Sequence, residues 1–82
     1  MYMHLGEDIL VKQKEIIAII DIKTIKEDSA SRTFFKNAEK KNMIQRIVEE
    51  RKEKSLVITA EKYYLSPISA ATLEKRSRQN LS

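Results

Sequence analysis

His4 is the only histidine among the 82 residues, and the chain has no cysteine. A lone imidazole cannot assemble a metal site, and with no thiol and no hydroxyl paired to a base there is no nucleophilic arrangement. His4 reads instead as a strand residue beside a turn or an interface. Ser66 and Ser69 lack a base and suit backbone capping. Gly6 is the single glycine, so a glycine-rich phosphate cradle is out of reach. The carboxylates stand singly or beside lysines. This pattern points away from an enzyme and away from any cofactor.

What remains is cationic, and the chemistry open to cations is neutralisation of a polyanion. Residues 1–28 hold four Lys against six Asp or Glu, whereas residues 29–82 hold twelve Lys or Arg against six Asp or Glu, within a net charge of +4. Such a basic half supports polyanion contact, and it equally fits a solvated surface. Its cations gather in three places: Lys36, Lys40 and Lys41; Lys75, Arg76 and Arg78; and the mixed run Glu49-Glu50-Arg51-Lys52-Glu53-Lys54. Each of the three also reads as a solvated helix face, a dipole-compensating helix end or a solvated loop.

The elements that must position these residues are organised around Ser55 to Arg76. Leu56-Val57-Ile58-Thr59 predicts a strand, Ala60-Glu61-Lys62 a turn, and Tyr63-Tyr64-Leu65 an antiparallel return. Pro67 ends that strand, since it cannot donate to a ladder. Ser69 follows as the N-cap of a helix through Arg76, with Ala70 and Leu73 facing the sheet. Tyr63 and Tyr64, which could stack on bases, read as core or interface anchors in this setting.

Upstream, Tyr2 to Leu5 and Ile9 to Val11 predict two strands around a Gly6-Glu7-Asp8 turn. Ile16 to Ile22 is a nearly continuous β-branched run with no polar face. It is a strand covered on both sides or one whose outer face meets another subunit, and the scarcity of other apolar residues favours the second. Ile17 and Ile19 are then the interface candidates. Thr24 to Ser31 reads as a polar connector, and residues 32–41 as a helix with Phe34, Phe35 and Ala38 on one side, stopped at Asn42. Met43 to Lys54 is rich in helix formers. Propensity alone would carry the preceding helix on to about residue 52.

The opening Met1-Tyr2-Met3-His4-Leu5-Gly6-Glu7-Asp8, together with Tyr63-Tyr64-Leu65-Ser66-Pro67-Ile68-Ser69 and Thr72-Leu73-Glu74-Lys75-Arg76, resembles the small bacterial extracellular matrix regulator family (RemA/RemB-like), nearer the RemB type. The resemblance covers nearly the whole chain. It implies a DNA-binding transcriptional regulator assembled as a ring of α+β subunits. It also implies that Met43 to Val48 is a strand and that the charged segment before Ser55 is a hairpin loop contacting DNA, with Arg51, Lys52 and Lys54 as the matching cations. Cations on a loop neutralise phosphates and release counterions. Glu49, Glu50 and Glu53 depart from the family pattern and bring the loop to neutrality, so a ring would need to repeat weak contacts to gain avidity.

The expected fold is a single α+β domain over residues 1–82, in the order ββ(β)αββα, with a small antiparallel-rich sheet, two helices and a cyclic homo-oligomeric state. A chain this short buries only about two-thirds of its unfolded surface, which makes association a natural supplement. The absence of cysteine suits a reducing cytoplasm, and neither a secretory leader nor an apolar run near the roughly 20 residues of a membrane span is present. The expected partners are DNA and further copies of the chain. The competing class is an oligomeric protein-interaction module without DNA binding, which the acidic interruptions favour.

Overall fold

The computed structural model describes residues 1–47 and 51–79. Strands β1 (Tyr2–Gly6) and β2 (Ile9–Lys12) form an antiparallel hairpin, and a single 3₁₀ turn at Gln13–Glu15 leads into β3 (Ile16–Asp21). Helices α1 (Ile22–Glu27) and α2 (Ser29–Lys40) follow, then β4 (Ile44–Arg46), β5 (Ser55–Thr59), β6 (Tyr63–Ser66) and α3 (Ala70–Gln79). The main sheet runs β3-β5-β6-β4, with β5 antiparallel to both neighbours and β4 parallel to β6.

The strands alternate between two cores, except at a bulge in β3. On one face Val57, Tyr64 and Ile19 meet Met3, Leu5 and Val11 of the hairpin and Leu73 of α3. On the other, Leu56, Leu65 and Ile20 meet Ile25 of α1 and Phe35 of α2. The sheet is therefore the middle of three layers. This is why Ile16 to Asp21 carries no polar face: the chain itself covers both sides, where the sequence suggested that it could hardly do so. A bulge explains what is left over. Ile16 and Ala18 pair with the adjacent residues Thr59 and Ile58, so Ile17 is the extra residue, and it is 68% exposed.

Two local expectations change. Ile22 begins a helix rather than ending a strand, and the stretch read as a connector contains α1. The Asp21 carboxylate accepts from Lys23 N at 2.8 Å and caps it, while Ile25 is buried beneath it. Asp28 separates the helices and caps α2 through Ser31 N, also at 2.8 Å; that bond holds the Asp28 carboxyl below its ordinary value. The cap therefore contributes above the normal carboxylate range and is lost as pH falls through the depressed value. The second change concerns β4. The segment is a strand, as the family pattern implies and against its helical propensity, yet it does not pair with β5. Tyr63 N donates to Met43 O and Ile47 N to Leu65 O, which set it parallel along β6. Val48 lies outside the described residues, as do residues 80–82.

The hairpin is fixed to the sheet at one seam. A bulge at Leu5 turns both Leu5 and Gly6 inward, and the Ser66 hydroxyl donates to Leu5 O at 2.6 Å. The same hydroxyl accepts from Ile68 N at 3.1 Å, so Ser66 shapes the exit from β6 while Ser69 caps α3 through Thr72 N. Gly6 has φ 127°, and a Cβ there would stand 2.9 Å from the Pro67 ring and 3.2 Å from Ile47. Neither the backbone angle nor the rigid ring can give way. Gly6→Ala is expected to destabilise the fold by roughly 2–4 kcal/mol, combining backbone strain with overpacking. A denaturant midpoint equal to that of the parent protein would contradict this packing.

Candidate functional site

Backbone bonds determine where the charged loop emerges. Lys54 N donates to Ser66 O at 2.8 Å, and Lys54 O accepts from Ile22 N at 3.0 Å. The loop is thus held between the end of β6 and the start of α1. Asp21, Ser55 and Ser66 share this end of the sheet through their register, and Arg46 closes it on β4.

From this fixed point one side chain turns inward and its neighbours do not. Arg51, Lys52 and Lys54 are exposed, whereas Glu53 turns inward with its side chain only 13% exposed and Oε1 3.5 Å from the Arg46 guanidinium. Its other oxygen, Oε2, is buried with no hydrogen-bond donor among the described residues. Glu53 is consequently matched by a cation from β4. The sequence had set it against the loop's own cations; Glu49 and Glu50, the other two carboxylates in that count, lie outside the described residues. In the described part of the loop Arg51 and Lys54 are exposed cations, Lys52 is exposed and engaged in an interaction of its own, and the carboxylate Glu53 is turned inward. Cations held this way can approach phosphate oxygens and displace counterions.

The other candidates separate. Lys36, Lys40 and Lys41 are exposed on α2, and Lys75, Arg76 and Arg78 on α3. Arg78 reaches Glu74 at 3.9 Å within the helix, and Arg76 donates weakly to His4 O at 3.5 Å. The His4 ring nitrogen bonds Glu7 O, a local turn contact. Tyr63 stacks on Phe34 with ring centroids 5.5 Å apart, and Tyr64 packs on the hairpin-side core, so neither ring is a free platform for bases. Ile17 is exposed at the bulge of edge strand β3, while Ile19 packs into the chain's own core.

Sequence reasoning missed the inward turn of Glu53 and the neighbours it brings together. Ile22, Ile25 and Phe35 line an open cleft of about 260 Å³ with Lys26, Arg32, Lys36, Glu39, Arg46 and Glu53. The available signal was Asp21 as a cap ahead of Ile22 and Ile25, spaced for one helical face. That signal alone would have revealed α1 and half the cleft wall.

A family model described as extracellular matrix regulatory protein A-like (RemA-like) matches residues 2–76. Extracellular matrix regulatory protein B of Bacillus subtilis (strain 168) is 32% identical over 78 residues, an alignment covering 95% of this chain and 91% of that protein.

Arg51 has φ 76°, in the left-handed region that non-glycine residues enter at a cost of about 1–2 kcal/mol. Arg51→Gly removes that strain and adds about 0.4–1 kcal/mol of unfolded-chain entropy. The expected net effect is a stability gain of about 0.5–1 kcal/mol, read from the denaturant midpoint. A loss of stability would mean that the Arg51 side chain anchors the loop.

Proposed function

The chain belongs to the RemA-like family of extracellular matrix regulatory proteins, and from that premise we propose that it is a bacterial transcriptional regulator that contacts DNA through the loop Arg51 to Lys54. The observation that carries this reading is the sorting of charge in the loop: Arg51, Lys52 and Lys54 exposed, Glu53 inward against Arg46. Three cations on one loop give modest affinity for phosphate. A cyclic homo-oligomer repeats the loop and raises avidity without any new contact.

The edge of β3 supports such an assembly. This strand borders the main sheet, so one side of its backbone is unpaired within the sheet, and Ile17 is exposed at its bulge. An apolar residue on an open edge is a natural subunit contact. Ile19 contributes by holding the strand on the core. Among the described residues no helix is long and apolar enough to cross a membrane, in keeping with a regulator acting in the cytoplasm.

A protein-interaction module is the second reading. Ile17 and the 41% exposed Phe34 favour it, because apolar exposure serves a protein partner better than a phosphate backbone. The two readings separate on duplex binding by the parent protein, and one double variant tests the loop's part in it. Arg51→Ala with Lys52→Ala is expected to weaken duplex DNA binding by about tenfold or more while leaving the oligomer mass unchanged. Unchanged affinity in that variant would remove the loop from the DNA contact.

A further inference from the structure

The cleft lined by α1, α2 and the end of the sheet has a composition that the loop's exposed cations do not explain. Lys26, Arg32, Lys36 and Arg46 bring four positive charges to it, against Glu39 and Glu53. Glu53 is already matched by Arg46. Arg32 is fixed at the rim by donating Nη1–H to Lys26 O at 2.7 Å, and a guanidinium has further N–H groups to offer. Lys26 and Lys36 have no carboxylate partner among the described residues. The wall between these cations is apolar, formed by Ile22, Ile25 and half-buried Phe35.

We infer that this cleft is a binding site for a free mononucleotide, with the phosphate on the cations of Lys26, Arg32 and Lys36 and the base against Phe35 and the isoleucines. Two independent features meet in that chemistry. A cationic rim selects a phosphate ester, charge-assisted bonds being the strong ones. An aromatic and aliphatic wall selects a flat, partly apolar body. The volume of about 260 Å³ lies just below the usual range of roughly 300–1,000 Å³ for small-molecule sites, which is the scale of a single nucleotide unit. The assignment does not depend on DNA contact by the loop.

Calorimetric titration of the whole protein with 5′-nucleoside monophosphates, with inorganic phosphate and with a short single-stranded oligonucleotide tests it. A mononucleotide is expected to bind saturably and more tightly than inorganic phosphate. Lys26→Ala with Lys36→Ala is expected to weaken it by about tenfold or more, and Arg51→Ala with Lys52→Ala to leave it unchanged. Lys36→Glu provides a second variant on an exposed position and should abolish binding. The assignment is overturned by absence of saturable mononucleotide binding, by equal affinity for phosphate alone, by binding confined to the oligonucleotide, or by full affinity in the cleft variants.

Discussion

Ser66 is the residue on which the arrangement turns. It is fully buried, yet its hydroxyl and carbonyl are both used: the hydroxyl joins Leu5 O and Ile68 N, and the carbonyl takes the Lys54 N–H. Lys54 passes the connection on to Ile22 N. One serine thus ties the N-terminal hairpin, the start of α3, the charged loop and the start of α1 to the same strand end. Each bond contributes only about 1 kcal/mol net, but leaving any partner buried and unpaired costs about 1–3 kcal/mol. Ser55, opposite it in register, repeats the device by donating to Ile68 O at 2.8 Å.

The three layers follow from that junction. With the hairpin fixed over one face and α1 directed over the other, a four-stranded sheet can bury both faces within a very short chain. The apolar run of β3 then needs no second subunit to justify most of its residues. Only the bulged Ile17 remains outside, which narrows any apolar subunit contact on this strand from a face to an edge. Any association through Ile17 is thereby separated from folding, because removing that side chain would leave both cores in place.

Much of this was legible where the cause is local. Pro67 ending a strand, Ser69 capping a helix, Gly6 in the first turn and the paired strands of residues 55–66 are all decided by a few adjacent residues. Strand β4 was not legible from its own residues. Met43 to Arg46 has helical propensity, and only the distant Tyr63 to Leu65 ladder makes it extended, so the family resemblance supplied what propensity could not. Helix α1 was hidden by its polar composition. The roles of Glu53 and Ser66 could not be read at all: Glu53 depends on Arg46 across the sheet end, and Ser66, read as a cap, depends on a bulge sixty-one positions earlier in the chain. Charge counting along the loop treated its carboxylates as equivalent, whereas burial distinguishes Glu53 from the cations beside it.

The central claim is that the fixed loop meets phosphates, repeated around an assembly. The slope of duplex affinity against salt tests it most directly, measured between about 50 and 200 mM with the oligomer mass determined in the same buffers. The account predicts an assembly larger than a dimer whose log affinity falls linearly with log salt, by about 0.9 per phosphate engaged, so that loops of three cations give a slope steeper than about −2. An intact assembly with no duplex affinity, or with affinity indifferent to salt, would contradict it.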